Sequence, residues 1–381
     1  MDKIFFSALP ALVCAFWTLN AVFHFTINRS RSRILLMVFM AVATGLYVGH
    51  FVFLNHMTAV MPFFDTIYAF ANLAVYPLFY LFILSLTSPL SRLRRHSLLL
   101  IPAIVVGVIV GVLYLLMSPT ECQEYVQRGS YHEDFLNATG LPLLMGYVRL
   151  VAKFIFAIEV VYVLVAGTRS IKSYQQMLTS YYADTEDKDL TPIQWFMYLF
   201  AVCSLLSSVF NIIGRDMFAE SSLVIIPSLL FSSLLFALGF FGIHQENVIE
   251  VIEREDASSP VSHDKQSKAN VRTDLSDRVE EVVTHKQLYL QPNLKVSDLA
   301  RELCTNRFYV SQAINDRMGV SFSDYINQKR IQYAIQLMKE HPEMPIIEIS
   351  AQAGYTSDKS FFRNFKKITG HTPKSKSLSN A

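Results

Sequence analysis

The stretch that decides the fold of the C-terminal part of the chain begins at Ile346 and ends at Pro373. It reads IIEISAQAGYTSDKSFFRNFKKITGHTP. Apolar residues at helical spacing predict a short amphipathic helix that ends before Gly354, where a positive φ angle is expected. Thr356 or Ser357 can cap a second helix, because a short hydroxyl side chain can accept a hydrogen bond from a free amide of the first turn.

The second helix has two different faces and ends at Gly370. Its apolar face is expected to bury Phe361, Phe365 and Ile368. Its outer face is polar and basic, with Asp358, Lys359, Ser360, Arg363, Lys366 and Lys367. Two short helices on a tight turn, with a basic outer face on the second, are typical of a helix-turn-helix that contacts DNA. A small helical hairpin without a DNA-binding role is the alternative.

The same pattern occurs about fifty residues earlier, as an internal repeat. Val296, Leu299, Ala300 and Leu303 correspond to Ile346, Ile349, Ser350 and Ala353, and Val310, Ile314 and Gly319 correspond to Phe361, Phe365 and Gly370. The turn of the second copy is one residue longer. A long helical pattern over residues 322–338 is predicted to hold the copies at a fixed separation.

This arrangement resembles the DNA-binding domain of the AraC/XylS family of bacterial transcription regulators, over roughly residues 272–375. The matching residues are Leu299-Ala300, Phe322-x-x-Tyr325-Ile326, Arg330-Ile331-x-x-Ala334, Ile349, Gly354-Tyr355-x-Ser357, Phe361-x-Arg363-x-Phe365-Lys366 and Gly370-x-Thr372-Pro373. The chain departs from the family pattern at Ser350, which replaces an alanine, and after Pro373, where a Tyr-Arg pair is absent. The resemblance implies binding to double-stranded promoter DNA, and it implies RNA polymerase as a further partner.

In the family arrangement, each recognition helix enters one of two successive segments of the major groove. Carried over by motif position, the base-contacting residues are Phe308, Ser311 and Gln312 in the first copy and Asp358, Lys359, Ser360 and Arg363 in the second. Phosphate contacts are expected from Asn306, Arg307, Arg317 and Lys366. The alternative for each residue is a solvated surface side chain. From residue 271 onward there are 16 Lys and Arg against 12 Asp and Glu, a mildly basic balance.

The N-terminal part has a very different composition, within a chain of 381 residues that is 52% hydrophobic and 17% charged. Long apolar segments predict seven transmembrane helices. They cover residues 5–25, 34–54, 63–86, 98–117, 141–165, 193–213 and 223–243. The first is expected to be an uncleaved span, because its apolar run is too long for a signal peptide and no cleavage site follows.

The charges of the loops predict the orientation of these spans. One set of loops contains Arg29, Arg31, Arg33, Arg92, Arg94, Arg95, Arg169, Lys172 and Lys188, whereas the opposite set contains Lys3, Arg128 and Arg215. Since positively charged loops stay in the cytoplasm, the N-terminus is expected outside and the C-terminal domain inside. The predicted location is a bacterial inner membrane, with the DNA-binding domain in the cytoplasm.

Ionisable residues within the predicted spans are candidates for a functional site. These are Asp65, Arg149, Lys153 and Glu159. Arg149 and Lys153 share a helix face, so they could bind an anionic ligand that enters from outside. Alternatively, internal pairing with Asp65 or Glu159 fixes the packing of the helix bundle, which is the interpretation we favour.

Together these patterns predict an all-α protein with three parts. These are a seven-helix membrane sensor domain (1–243), a juxtamembrane helix and flexible linker (244–270), and a soluble double helix-turn-helix domain (271–381). The juxtamembrane helix could pair with a second copy to form a homodimer. No catalytic, metal-binding or cofactor-binding motif is recognised, so an enzyme is not expected. The alternative is a membrane receptor or transporter whose cytoplasmic tail binds a protein partner.

Overall fold

The structure, a computed structural model, describes residues 2–27, 30–131, 135–213, 225–245, 247–258 and 270–373. The regular elements that it describes are helices, in agreement with the predicted all-α class. The chain divides into two compact units. One contains Met1–Lys172 and Leu190–Glu253, and the other contains Ser173–Asp189 and Arg254–Ala381. Arg29 and Arg215, the linker around Pro260 and the start of the seventh predicted span at residue 223 lie outside the described residues.

The first unit consists of long apolar helices with short helices between them. Its helices are α1 (Asp2–Ile27), α2 (Arg31–Leu54), α3 (Met61–Thr87), α4 (Leu90–His96), α5 (Ile101–Leu116), α6 (Pro119–Glu124), the first part of α7 (Gly140–Tyr181), α8 (Thr191–Ile213), α9 (Ile225–His244) and the first part of α10 (Val248–Ser258). A 3-10 turn (Ser97–Leu100) joins α4 to α5, and a π-helix (Tyr125–Tyr131) follows α6.

Within the described residues, six helical stretches are long and apolar enough to cross a membrane. They are Ile4–Phe23, Arg31–Leu54, Met61–Thr87, Leu90–Leu116, Gly140–Tyr181 and Ile225–Glu253, and each overlaps one predicted span. The remaining predicted span, residues 193–213, coincides with α8, whose side chains are described only as far as Leu205. The count of seven spans therefore stays a prediction.

Helix α3 forms the centre of the first unit. In its most apolar stretch 72% of the residues are buried, against 22% to 33% in the other five stretches. The outer helices direct large apolar side chains away from the unit, as shown by Leu19, Leu115 and Ile158, which are 71%, 86% and 69% exposed. An apolar outer surface of this extent is unfavourable in water and favourable against lipid.

The second unit contains the two helix-turn-helix copies. Its helices are α11 (Asn270–His285), α12 (Val296–Glu302), α13 (Arg307–Met318), α14 (Phe322–Glu340), α15 (Ile346–Gln352) and α16 (Asp358–Thr369), with a 3-10 turn at Leu288–Leu290. Each copy pairs a helix of 7 residues with one of 12. The turns cover residues 303–306 and 353–357, so the predicted repeat and its longer second turn are confirmed.

The second copy packs against α14 through one apolar cluster. Phe361 and Phe365 are fully buried there, with Ile331 and Ala334 of α14. The predicted burial of Ile368 is wrong, because this side chain is 38% exposed. It lies in the last turn of α16, which extends beyond the cluster.

The end of α7 and the segment that follows it belong to the second unit. Residues 173–181 are helical, and the next residues include a short 3-10 turn (Glu186–Lys188) before α8 begins at Thr191. Tyr182 forms an isolated antiparallel bridge with Lys295, just before α12. This segment between the fifth and sixth predicted spans therefore packs with the two helix-turn-helix copies.

Candidate nucleic-acid interface

The recognition helix of the first copy is α13. Asn306 caps it, since its side-chain oxygen accepts a hydrogen bond of 2.9 Å from the Phe308 amide. Phe308 is 65% exposed, and Ser311 and Gln312 are half-buried. The predicted base-contacting residues thus start at the N-terminal end of the helix, which is the part of a recognition helix that contacts base edges.

The recognition helix of the second copy is α16. Of the two caps that the sequence allows, Ser357 is used, and its hydroxyl accepts a hydrogen bond of 3.4 Å from the Ser360 amide. Asp358, Lys359 and Arg363 are exposed. Ser360 is only 1% exposed, and its hydroxyl donates to Asp184 over 3.0 Å. In this conformation the hydroxyl of Ser360 is therefore not available to a base.

The predicted phosphate-contacting residues have different surroundings. Arg307 places its guanidinium 5.0 Å from the centre of the Tyr181 ring. Arg317 forms an ion pair with Asp277 and donates to the Ser276 hydroxyl over 3.1 Å. Lys366 is exposed on α16, and Asn306 is the helix cap. Arg317 and Asn306 thus have structural contacts that the sequence pattern did not indicate.

Helix α14 joins the two copies and carries a buried arginine. Arg330 donates through Nε to the Tyr289 carbonyl over 2.6 Å and through an Nη to the Gln291 carbonyl over 2.8 Å. Its guanidinium lies 5.2 Å from the centre of the Tyr355 ring, which belongs to the second turn. Burial lowers the pKa of Arg330 from its usual value. This one side chain connects α14, the 3-10 turn and the second helix-turn-helix.

A polar cluster holds α11 against α14 on the side of the first copy. Glu280 forms an ion pair with Lys329 and accepts a hydrogen bond of 2.6 Å from the Tyr325 hydroxyl. Burial on its own raises the pKa of Glu280, but the hydrogen bonds from Lys329 and Tyr325 outweigh burial and lower the pKa below its usual value. The carboxylate therefore stabilises the domain while it is ionised.

The ionisable residues of the predicted membrane spans fall into separate groups. Arg149 forms an ion pair with Asp65 and also donates to the Asp65 carbonyl over 3.2 Å. Tyr114 donates to the same carboxylate over 2.7 Å. Lys153 is exposed on the surface of α7. The structure thus pairs Arg149 with Asp65 on α3.

The second acidic candidate, after Asp65 on α3, is Glu159 on α7. It is buried, and within the described part of the chain neither carboxylate oxygen has a hydrogen-bond partner. The described residues also contain no group of three or more His, Cys, Asp and Glu side chains that could hold a metal ion.

Two features of this region were missed in the sequence. One is the structural role of Arg330. This residue matches the AraC/XylS pattern, but the pattern does not indicate which groups the side chain contacts. The other is the contact of Asp184 and Glu186 with the second recognition helix. Its signal in the sequence is the acidic run Asp184-Thr185-Glu186-Asp187 in a loop that belongs to the positively charged set.

Comparison with known proteins identifies the class of the C-terminal domain. Residues 299–376 match the family described as "Helix-turn-helix domain", and this helix-turn-helix is of the AraC type. The match covers both copies from the middle of α12 to beyond α16.

Particular relatives match only about a quarter of the chain. A protein of Bacillus subtilis (strain 168), named uncharacterized HTH-type transcriptional regulator YtdP, is 31% identical over 111 residues, which are 28% of this chain and 14% of that protein. An uncharacterized HTH-type transcriptional regulator of Staphylococcus aureus is 32% identical over 98 residues, which are 26% of this chain and 13% of that protein. No solved structure matches the chain.

Proposed function

We propose that this chain is a membrane-anchored, one-component sensor and a sequence-specific DNA-binding transcription regulator. The observation that carries the proposal is the pair of helix-turn-helix units, each with a 12-residue recognition helix, at the two ends of α14. Such a pair can place two recognition helices in two successive segments of the major groove. The relatives named as transcriptional regulators support the same function for this domain.

Each recognition helix has a proposed role in sequence recognition. Arg363 can form a bidentate contact with a guanine, Gln312 can pair with an adenine, and Phe308 can contact a thymine methyl group. Asp358, Lys359 and Ser311 are the further proposed base contacts. Lys366 and Arg307 are the proposed phosphate contacts, which position the protein without selecting sequence. RNA polymerase is the proposed protein partner, and the regulator performs no catalysis.

The first unit is the proposed membrane sensor of an unidentified external or membrane ligand. Six apolar helical stretches with outward-facing apolar side chains support its insertion into the inner membrane. The loop charges support an outside N-terminus and a cytoplasmic C-terminal domain. The pairing of Arg149 with Asp65 favours a structural role for this pair in packing α7 against α3. Homodimer formation through α10 is a further part of the proposal.

DNA recognition is tested with the full chain in detergent micelles. Duplexes of about 30 base pairs, long enough for two major-groove segments, are selected from a random pool. The selected duplex and a shuffled version are then titrated at two salt concentrations. We expect preferential binding to the selected duplex at both, with a decrease of about 0.9 log units per log unit of salt for each phosphate contact. Equal affinity for both duplexes would contradict the proposal and favour a tail that binds a protein partner.

The proposed topology is tested with two native cysteines. Cys122 follows the fourth predicted span and is expected outside, whereas Cys304 is exposed in the DNA-binding domain. Chains that keep only one of these cysteines are treated in intact cells with a membrane-impermeant maleimide. We expect labelling of Cys122 in intact cells and of Cys304 only after permeabilisation. Labelling of Cys304 in intact cells would contradict a cytoplasmic DNA-binding domain.

A further inference from the structure

The segment 182–189, which joins α7 to α8, is anchored on the DNA-binding domain by its backbone. The Ala183 amide donates to the Leu294 carbonyl over 3.0 Å. The Ala183 carbonyl accepts hydrogen bonds from the Ser323 hydroxyl (2.8 Å) and from the Asn327 side-chain amide (2.9 Å). Ser323 and Asn327 are buried in the first half of α14. These contacts place the segment at a defined position next to the helix that joins the two copies.

Two carboxylates of this segment bind the N-terminal end of the second recognition helix. Asp184 accepts hydrogen bonds from the hydroxyls of Thr356 (3.1 Å) and Ser360 (3.0 Å). Glu186 accepts a hydrogen bond of 3.1 Å from the Ser357 hydroxyl, and its other oxygen lies 3.1 Å from the Lys359 ammonium group. Four of the five consecutive polar positions 356–360 are thus engaged, and Asp358 is the exception.

This end of a recognition helix is where DNA would bind. Its free amides and the helix dipole attract anions, and its side chains contact base edges and phosphates. Asp184 and Glu186 carry the same charge as phosphate groups and accept the same hydrogen bonds. They therefore hold Ser360 and Lys359, two of the predicted base-contacting residues. In the first copy, Tyr181 similarly covers the guanidinium of Arg307, a predicted phosphate contact.

We propose that the segment 182–189 is an intramolecular competitor of DNA, which lowers the affinity of the regulator until the segment is released. This inference rests on the proposed function. The segment is covalently attached at both ends to apolar helices, α7 and α8, so a change in those helices that withdraws it would free Ser360 and Lys359. The coupling is reciprocal: DNA binding must displace the segment by the same factor by which the docked segment weakens DNA binding.

The first test removes the two charges without changing the size of the side chains. The full chain with Asp184→Asn and Glu186→Gln is titrated with the selected and shuffled duplexes described above. We expect an increase of about tenfold in affinity for the selected duplex, within the usual range of coupling between two sites.

A control variant separates this effect from a general change in charge. Asp187→Asn with Glu281→Gln removes the same number of negative charges from exposed positions of the same unit. We expect it to raise the affinity for both duplexes equally, by much less than the first variant. Equal effects of the two variants on the selected duplex would overturn competition and leave the proposed function intact. Loss of any preference for the selected duplex in all chains would instead overturn the proposed function.

A second test uses the unmodified chain, so it does not depend on the folding of a variant. The Ala183 amide is hydrogen-bonded to Leu294 and should exchange slowly with deuterium in the absence of DNA. We expect saturation with the selected duplex to accelerate exchange over residues 182–189, while the shuffled duplex at the same concentration has no effect. Unchanged or increased protection on binding of the selected duplex would show that the segment stays docked, and competition would be excluded.

Discussion

The two helix-turn-helix copies have helices of equal length, but their turns are held in different ways. In the second copy Gly354 has a φ of 84°, and a Cβ atom there would lie 2.6 Å from the Leu290 carbonyl oxygen. In the first copy the corresponding position is Cys304, with a φ of 50° and an exposed side chain. The same backbone conformation therefore requires glycine only where another backbone approaches closely.

The copies also differ in the contacts that the N-terminal ends of their recognition helices make. In the second copy the carboxylates of Asp184 and Glu186 engage the N-terminal end of α16. In the first copy Phe308 remains 65% exposed, and Tyr181, the last residue of α7, contacts the Arg307 guanidinium. Under the competition proposed above, the second copy is the one whose recognition helix the segment 182–189 holds.

The largest expected effect breaks the turn of the second copy. Gly354→Ala should lower the free energy of unfolding of the domain by about 3 kcal/mol, because the positive φ and the overlap with Leu290 add together. Gly319→Ala is the matched control, since it has a φ of 66° with no atom within 4 Å of the added Cβ, and it should cost only about 1 kcal/mol. Hydrogen exchange of the buried α14 amides in the full chain measures both. Equal costs would show that the contact with Leu290 is unimportant.

The next effect concerns base recognition by the two helices. Arg363→Ala should weaken binding to the selected duplex by about 1–3 kcal/mol and relax the preference at one base pair. Gln312→Ala should relax the preference at a different base pair, in the other half of the duplex. Lys339→Ala, at the exposed end of α14, is the charge control for Arg363. If Arg363→Ala weakens binding to the selected and the shuffled duplex equally, Arg363 contacts a phosphate and does not read a base.

A smaller expected effect is a dependence of the domain's stability on pH through Glu280. Since the pKa of Glu280 is lowered in the folded domain, the ionised carboxylate stabilises the fold above its unfolded pKa of about 4.3. This stabilisation is lost as the pH falls through the lower folded pKa. Glu280→Gln should therefore destabilise the domain at pH 7 by less than about 1 kcal/mol, because the site is partly exposed to solvent.

The two proteins should become equally stable at a second, acidic pH that lies below the lowered folded pKa of Glu280, where both side chains are uncharged. Exchange of the α14 amides at the two pH values measures the difference. A difference that persists at low pH would assign the effect of Glu280→Gln to packing.

The smallest expected effect is at the turn of the first copy. Cys304→Gly relieves the positive φ of a non-glycine residue but also makes the unfolded chain more flexible. Because these contributions oppose each other, the free energy of unfolding should change by less than about 0.5 kcal/mol. Hydrogen exchange of the buried α14 amides measures this change. A destabilisation as large as that of Gly354→Ala would show that the Cys304 side chain has a packing role.

Local pattern predicted much of the C-terminal domain because its elements follow from short-range rules. The apolar spacing around Phe361 and Phe365, the glycines at helix ends and the hydroxyl caps each act within a few residues. The same rules failed at Ile368, because whether the last turn of a helix is buried depends on how far its neighbours extend. The ionisable residues of the spans and an internal pairing with Asp65 or Glu159 could be predicted, but the choice of Asp65 as the partner of Arg149 could not, because it depends on how the helices pack.

By itself, the sequence determined the helical character of the chain, its apolar and polar parts, and the repeat of two helix-turn-helix units. These properties follow from composition and periodicity, which are encoded in neighbouring residues. Only the tertiary structure decided that Arg330 holds the 3-10 turn, that Arg149 pairs with Asp65, and that Asp184 and Glu186 bind the second recognition helix. Thr356 and Asp184 are 172 residues apart in the chain, and a contact over that separation follows from folding in three dimensions.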